Sequence, residues 1–223
     1  MTPYMCKNVV CFDLDDTLYK EIDYLTSAYR EIAATVGHIE MVSQMVRWFR
    51  ERENVFQKLN EYLGITTPIE DYLRIYRNHY PDIELSEGVG ETLDELKSRG
   101  AVLGLITDGR SISQRNKIRA LGLERWFDNE NIIISEEFGS EKTNQKNFDY
   151  YAERFPEFCF SYVGDNPRKD FVVPNGLRWK TIMLKDNGRN IHKQETNLVF
   201  QFLPKYIVKN IKQTIKLIYG YTE

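Results

Sequence analysis

Short apolar runs alternate with helical patterns along most of the chain. Residues 9–12 form the first apolar run, which is typical of a strand buried on both faces. Further runs of this kind follow at residues 101–106, 132–134, 159–163 and 181–184. Helical spacing lies between these runs, at residues 90–99, 111–121 and 143–155. The alternation predicts an α/β fold in which right-handed strand–helix–strand units build a parallel sheet.

Residues 19–83 depart from this alternation, because they contain helical patterns and no convincing strand. Apolar residues recur at helical spacing in successive segments, which end at Gly37, Gly64 and Pro81. A helical block inserted directly after the first strand predicts a separate lid over the active end of the sheet. We therefore expect two domains: a discontinuous core of residues 1–18 and 84–223, and a small helical cap of residues 19–83.

Residues 204–223 carry apolar and lysine positions on separate helical stripes. The pattern predicts a C-terminal amphipathic helix that packs on the core and leaves its lysines in solvent. Docking of this helix to a membrane or to a partner is the alternative.

The composition narrows the class of protein. The chain has 223 residues, of which 42% are hydrophobic, and its formal net charge is -3. This balance is that of a folded protein, and the small net charge argues against nucleic acid or an anionic membrane as the main partner. The sequence shows neither a signal peptide nor an apolar run of membrane-spanning length, so we expect a cytoplasmic protein. It does not indicate an oligomeric state.

The cysteines and histidines match no metal-ligand spacing. The cysteines are Cys6, Cys11 and Cys159, and their low, odd number predicts reduced thiols. The histidines are His38, His79 and His192, which we interpret as surface or cap residues.

Two carboxylates follow the first apolar run. At the end of an extended strand, Asp13 and Asp15 point to the same side while Leu14 faces away. They stand at the carboxyl end of the strand, where open α/β sheets place their ligands. Because two close carboxylates repel each other, the pair favours a site for a divalent cation. A solvated acidic turn with a helix cap at Thr17 is the alternative.

Polar residues also follow the later predicted strands. Thr107 and Asp108 come after the second strand, where a hydroxyl and turn amides suit a phosphate. Lys142 follows the third strand, and Asp165 and Asp170 follow the fourth. Each group alone is typical of an ordinary turn or surface. Together they place polar chemistry at the carboxyl ends of successive strands, which predicts a metal-and-phosphate site.

These motifs make the chain resemble the haloacid dehalogenase-like hydrolase superfamily, and its phosphatases in particular. The matching residues are the run 13–18 (DLDDTL), Thr107-Asp108-Gly109, Lys142, and Gly164-Asp165 followed by Asp170, with Gln114 and Lys117 at similar spacing. The resemblance covers about residues 8–184. It implies a Rossmann-like three-layer α/β/α core with a helical cap. Asp108 and Thr143 depart from the pattern, since many relatives carry Asn and Pro there, and Asp108 adds a negative charge near the phosphate.

The resemblance also implies a role for each site residue. Asp13 is the nucleophile that forms an aspartyl-phosphate, and Asp15 is the general acid and then the general base. The implied phosphate-binding residues are Thr107, Asp108 through its amide, and Lys142. The implied ligands of Mg²⁺ are Asp13, the backbone carbonyl of Asp15, and Asp165. Asp170 is expected to orient Lys142 or a metal-bound water.

The expected function is Mg²⁺-dependent hydrolysis of a small phosphorylated metabolite: a sugar phosphate, a nucleoside monophosphate or a phospho-acid. Asp15 together with Asp165 favours phosphoryl transfer over dehalogenation. A phosphomutase is one alternative, because it keeps these residues and differs in how the cap excludes water. A non-catalytic protein that binds phosphate or Mg²⁺ is the other. Within the cap, residues 19–21 and the turn at 37–39 are the candidates for contact with the leaving group, while residues 168–169 are interpreted as solvated.

Overall fold

A six-stranded parallel sheet forms the centre of the structure, a computed structural model that describes residues 6–220. The strands are β1 (Asn8–Phe12), β2 (Val102–Thr107), β3 (Ile132–Ile134), β4 (Cys159–Gly164), β5 (Lys180–Leu184) and β6 (Tyr206–Val208). Their order across the sheet is β3-β2-β1-β4-β5-β6, with every neighbouring pair parallel. Strands β2 and β3 lie on one side of β1, and β4, β5 and β6 lie on the other. The strand order therefore switches between β1 and β4, and open α/β sheets bind ligands at such a point.

Helices connect the strands and cover the sheet. Those inserted after β1 are α1 (Glu21–Thr35), α2 (Val42–Arg50), α3 (Val55–Leu63) and α4 (Ile69–Asn78). Those that follow are α5 (Val89–Ser98), α6 (Ser111–Ala120), α7 (Ser135–Phe138), α8 (Lys146–Arg154), α9 (Val172–Gly176) and α10 (Gln213–Tyr219). The α/β fold predicted from the sequence is confirmed, with boundaries that shift by a few residues.

Strand β1 is buried on both faces because its residues alternate between two hydrophobic clusters. Val10 and Phe12 pack in one cluster, and Val9 and Cys11 pack in the other. Neighbouring β2 contains Gly104 because there is no room for a side chain: a Cβ there would lie 2.6 Å from the ring of Tyr151. The result is a tightly packed central strand whose carboxyl end is held in one position.

Helices α1–α4 pack around a hydrophobic cluster of their own, which includes Leu25, Ile32, Met45, Leu59 and Tyr72. Local signals fix their ends. The Asn54 side chain accepts a hydrogen bond from the Gln57 amide at the start of α3, and Gly64 ends that helix in the left-handed conformation. These helices fall within the stretch predicted to be the cap, and the division of the chain into core and cap stays a prediction.

The prediction of one helix over residues 204–223 is wrong. The segment contains β6, then a turn, and then α10, while residues 221–223 lie outside the described part of the chain. The helical periodicity is real for Ile211, Ile215 and Ile218, which are buried. At β6, however, pairing with β5 supplies backbone hydrogen bonds that local periodicity cannot reveal.

The prediction of reduced thiols is also wrong for two cysteines. Cys6 and Cys159 form a disulfide, while Cys11 is free and buried. The physical reason lies in the register of the sheet, since parallel pairing sets Asn8 opposite Cys159 and thereby brings the residues just before β1 next to the start of β4. That register is not visible in the spacing of the cysteines.

Among the residues that the structure describes, no helix combines the length and the apolar character needed to cross a membrane.

Candidate active site

The carboxyl ends of the strands converge on a small cavity of about 110 Å³, and several of the polar side chains that line it are buried. The predicted site residues that line it are Asp13, Asp15, Thr107, Asp108, Lys142 and Asp165. The Asp13 amide donates to the carbonyl of Val163 at 2.9 Å, so the hydrogen bonding between β1 and β4 extends one residue beyond the end of β1. The remaining predicted residue, Asp170, lies directly behind the cavity and is fully buried.

Lys142 lies between two carboxylates. Its Nζ contacts Asp13 Oδ1 and lies 3.0 Å from Asp170 Oδ1. Burial alone would lower the pKa of Lys142, but the charges of Asp13 and Asp170 raise it well above its usual range. The lysine is therefore a fixed cation directly beside the Asp13 carboxylate.

Asp170 orients this cation and the turn after β4. Its Oδ2 accepts hydrogen bonds from the amides of Asp165 at 3.0 Å and Asn166 at 2.7 Å, and its Oδ1 also accepts from the Tyr162 hydroxyl. Gly164 makes this possible, because a Cβ there would lie 2.5 Å from Asp170 Oδ2. With its oxygens used in this way, Asp170 acts on its neighbours and has little capacity left for a ligand.

Negative charge accumulates where a cation would fit. One oxygen each from Asp13, Asp165 and Asp170 lies within 4.8 Å of the others. Burial raises the pKa of Asp165 to about 9, with Asp170 adding repulsion, and burial raises that of Asp13 to about 7 although Lys142 partly offsets it. A donor set made only of oxygens suits a hard divalent cation, which would relieve this repulsion. The residues present therefore fit a metal site formed chiefly by Asp13 and Asp165.

Asp15 is held on the opposite side of the cavity. Its Oδ1 accepts from Lys117 Nζ at 2.7 Å and from the Tyr19 hydroxyl, and its Oδ2 accepts from Gln114 Nε2 at 3.0 Å. Burial opposes ionisation of Asp15, but the Lys117 charge and these hydrogen bonds outweigh it and lower the pKa. Lys117 also lies over the Tyr24 ring, 4.3 Å from its centroid.

Gln114 links Asp15 to the predicted phosphate side, since its Nε2 also lies 2.5 Å from Thr107 Oγ1. Asp108, which departs from the common pattern, accepts a hydrogen bond from the Lys142 amide at 2.9 Å through Oδ1. Its other oxygen lies 3.9 Å from Lys169 Nζ. Lys169, interpreted from the sequence as solvated, therefore contributes positive charge at the rim of the cavity.

Asp16 fixes the turn between Asp15 and α1. Its backbone is left-handed, with φ of 59°, which is uncommon for a residue other than glycine. Its carboxylate accepts hydrogen bonds from the amides of Glu21 at 3.0 Å and Ile191 at 2.9 Å. These bonds compensate for the strained turn and fasten the first turn of α1 beside the cavity.

Glu21 and His192 also line the cavity, although neither was predicted as a catalytic, phosphate-binding or metal-binding residue. Glu21 belongs to residues 19–21, which were predicted only to contact the leaving group. Burial, and to a smaller extent repulsion from Asp15, raises the pKa of Glu21 to about 8. His192, interpreted as a surface or cap residue, comes from a loop that starts after β5. Sequence spacing could not have found it, because its position depends on how that loop folds back over the sheet. The turn at 37–39 is not among the residues that line this cavity.

A larger cavity of about 890 Å³ borders the first. His192 lines both, and the larger one lies between α1, the end of α2, and residues 188–192. Its walls combine apolar side chains such as Ile22 and Phe49 with the charged side chains of Arg50 and Arg52.

The predicted residues of this site all fall within one recognised family pattern. The sequence model of the haloacid dehalogenase-like hydrolase family matches residues 10–184, which is most of the chain. The chain belongs to the haloacid dehalogenase-like hydrolase family. This family membership was predicted from the run 13–18 and the later strand-end motifs, and it is confirmed.

Similar proteins agree with this membership in the haloacid dehalogenase-like family. A glyceraldehyde 3-phosphate phosphatase of Methanocaldococcus jannaschii is 28% identical, in a match that covers 92% of this chain and 98% of the relative. A protein of the same name from Pyrococcus furiosus is 25% identical, with coverage of 94% and 92%. A hydrolase structure of the superfamily from Geobacter sulfurreducens, at 19% identity, has the same fold with a TM-score of 0.68 over 96% of this chain and 97% of its own. The predicted phosphatase class is thereby confirmed.

Proposed function

We propose that this enzyme is a Mg²⁺-dependent phosphatase that hydrolyses a small phosphorylated metabolite through an aspartyl-phosphate on Asp13. The observation that carries the proposal is the contact between the buried side chains of Lys142 and Asp13, beside Asp165, in a cavity of about 110 Å³. Such a cavity suits a phosphoryl group and a cation, and it brings a carboxylate nucleophile and a fixed positive charge to the same phosphorus.

The first half-reaction uses Asp13 and Asp15 together. A carboxylate oxygen of Asp13 attacks the phosphorus, the bond from phosphorus to the leaving oxygen breaks, and that oxygen takes a proton from Asp15. Thr107, the amide of Asp108 and Lys142 bind the oxygens of the phosphoryl group. Asp13, the backbone carbonyl of Asp15 and Asp165 would hold Mg²⁺, which would supply positive charge to offset the negative charge of the phosphoryl group.

The second half-reaction restores the enzyme. Water attacks the phosphorus of the aspartyl-phosphate, its proton passes to Asp15, and the bond between Asp13 and phosphorus breaks to release inorganic phosphate. The lowered pKa of Asp15 supports its role as the ionised base in this half. Asp170 keeps Lys142 in place throughout.

The leaving group occupies the larger cavity. A volume of about 110 Å³ leaves little room beyond the phosphoryl group, whereas the bordering cavity of about 890 Å³ accommodates a small metabolite. The names of the curated relatives support a triose phosphate as the first candidate. Residues 19–83 act as the cap that covers this cavity, with the remaining residues as the core, and the enzyme works in the cytoplasm.

The test is a substrate panel with purified protein. Release of inorganic phosphate is measured for glyceraldehyde 3-phosphate, a hexose phosphate, a nucleoside monophosphate, a phospho-acid and an aryl phosphate, each with Mg²⁺ and with a chelator. We expect Mg²⁺-dependent release, fastest with glyceraldehyde 3-phosphate. Transfer of phosphate to another position of the substrate without release would indicate a mutase. No turnover with any member of the panel would contradict the proposal.

A further inference from the structure

A loop of residues 186–195 reaches from the end of β5 back to the site. It begins just beyond the segment that matches the family model, which ends at residue 184. Asp186 shapes its turn, since one carboxylate oxygen accepts hydrogen bonds from the amides of Gly188 at 2.8 Å, Arg189 at 3.1 Å and Asn190 at 3.0 Å. The Asp186 carboxylate therefore holds the backbone from Gly188 to Asn190, and one of the three bonds comes from the amide of Asn190 itself.

The side chain of Asn190 joins two buried charged groups. Its Nδ2 donates to Asp165 Oδ2 at 2.8 Å, and its Oδ1 accepts from Lys20 Nζ at 2.7 Å. Lys20 is buried and directly precedes α1. Because a lysine only donates and a carboxylate only accepts, the Asn190 amide has a single orientation that satisfies both neighbours.

The same loop holds the backbone of Asp165. Gln194 Nε2 donates to the Asp165 carbonyl at 2.8 Å and to the Leu184 carbonyl at 2.8 Å. With the backbone fixed by Gln194 and Oδ2 fixed by Asn190, the Asp165 carboxylate keeps its other oxygen for a ligand in the cavity. An oxygen of Asp165 lies within 4.8 Å of oxygens from Asp13 and Asp170, so a cation placed among these carboxylates would relieve their mutual repulsion.

Further bonds connect the loop to the start of α1. Arg189 Nη2 lies 2.6 Å from Asp23 Oδ1, and the amide of Ile191 donates to Asp16 at 2.9 Å. The loop thus contacts Asp165 on one side and the first turns of α1 on the other. A change in the position of α1 would pull on Asn190 through Lys20.

We propose that Asn190 is a positioning residue that holds the Asp165 carboxylate ready for the cation and ties that orientation, through Lys20, to the start of the first cap helix. The inference rests on the proposed function, because it takes Asp165 as a ligand of the cation. Its role is indirect, since Asn190 acts through Asp165 and touches neither the phosphoryl group nor the nucleophile.

The experiment measures cation binding directly as well as activity. Titration calorimetry with Mg²⁺, and electron paramagnetic resonance with Mn²⁺, give the dissociation constant of the substrate-free enzyme. The variants are Asn190→Ala, Lys20→Met and, as the matched control, Asn187→Ala, whose residue is exposed on the same loop. Thermal unfolding of each variant without metal reports whether the fold is intact.

We expect Asn190→Ala to weaken cation affinity by about 10- to 100-fold, the usual effect of removing a group that orients a metal ligand. Lys20→Met should weaken the cation affinity by a smaller factor, because the Asn190 side chain still contacts Asp165 but loses its hydrogen bond from Lys20. Asn187→Ala should match the wild type. Saturating Mg²⁺ should restore most of the kcat of Asn190→Ala, which a general loss of structure would not allow.

The outcomes separate this inference from the proposed function. A wild-type enzyme that binds no Mg²⁺ and shows no metal-dependent hydrolysis overturns both. A wild type that binds Mg²⁺, with Asn190→Ala affinity within about twofold of it, overturns only the role of Asn190. If Asn190→Ala does not fold, Lys20→Met is the deciding variant. A cation affinity in Lys20→Met equal to that of the wild type would show that the Lys20–Asn190 hydrogen bond does not support the metal site, and would overturn the proposal.

Discussion

Lys117 Nζ lies 2.7 Å from Asp15 Oδ1, which places a buried cation against the predicted general acid and base. The lysine comes from α6, and one helical turn earlier Gln114 contacts both Asp15 and Thr107. One face of α6 therefore sets the orientation of groups on two sides of the cavity.

Replacing Lys117 should move the pH dependence of turnover. The positive charge favours the ionised form of Asp15, so its loss in Lys117→Met raises the pKa of that carboxyl. In the proposed second half-reaction Asp15 must be ionised to accept a proton from water. Where that half-reaction limits turnover, the acidic limb of the kcat profile should shift upward by about one to three pH units. Lys117→Arg keeps the charge and should shift it far less. Identical profiles for the wild type and Lys117→Met would refute this electrostatic role.

The metal-free enzyme should lose stability as the pH rises. Burial raises the pKa of Asp13 to about 7 and that of Asp165 to about 9, both above the ordinary value of 3.8. The protonated carboxyls contribute their whole share of the free energy of unfolding at a pH below their pKa in the unfolded state. This contribution is lost as the pH rises through their pKa values in the folded state. A bound cation removes the repulsion.

Thermal unfolding with Mg²⁺ and with a chelator checks this expectation. The increase in Tm caused by Mg²⁺ should be larger at about pH 8.5 than at about pH 5.5. A double variant, Asp13→Asn with Asp165→Asn, should show little response to Mg²⁺ at either pH. A Mg²⁺ effect independent of pH would argue against these two carboxyls as the groups involved.

Arg52 offers a test of the larger cavity that does not depend on the catalytic residues. Its backbone is left-handed, with φ of 61°, a conformation that costs a side-chain-bearing residue about 1 kcal/mol relative to glycine. Arg52→Gly should therefore unfold at the same or a higher temperature than the wild type. Because Arg52 lines the cavity proposed for the leaving group, the same change should raise KM for the preferred metabolite severalfold.

Hydrolysis of an aryl phosphate provides the comparison, since its leaving group differs from the metabolite in shape and charge. The ratio of kcat/KM for the two substrates should change in Arg52→Gly and stay constant in Arg47→Ala. Arg47 is exposed on α2 and is not among the residues that line the cavity. An unchanged ratio in Arg52→Gly would remove this residue from substrate recognition.

Much of the site could be predicted because each strand end carries its own short motif. Asp13 and Asp165 directly follow β1 and β4, and Thr107 is the last residue of β2. A parallel sheet brings these strand ends to one edge whatever the intervening sequence does. Lys142 follows β3 only after the short helix α7 and a turn, yet its position after β3 was enough to predict that it lies at the same edge.

The residues that could not be predicted depend on side-chain and loop geometry. Nothing in the spacing of Asn190 or His192 indicates that residues 186–195 return to β1, because that path depends on tertiary hydrogen bonds such as that from Ile191 to Asp16. The strand β6 was hidden for the same reason, since a segment with helical periodicity pairs with β5 once the sheet exists. The Cys6–Cys159 bond required the register of β1 against β4.

The most direct test of the account is to look for the phosphoryl group on Asp13. Enzyme mixed with substrate and Mg²⁺ is quenched in acid and digested, and the mass of the peptide that contains Asp13 is measured by mass spectrometry. Asp13→Asn and a control variant at an exposed residue, Asp128→Asn, are treated in parallel. We predict a phosphorylated peptide in the wild type and in Asp128→Asn. In Asp13→Asn we predict no such peptide and a loss of turnover of about a thousandfold or more. Wild-type turnover by Asp13→Asn, or phosphate trapped on another residue, would contradict the account.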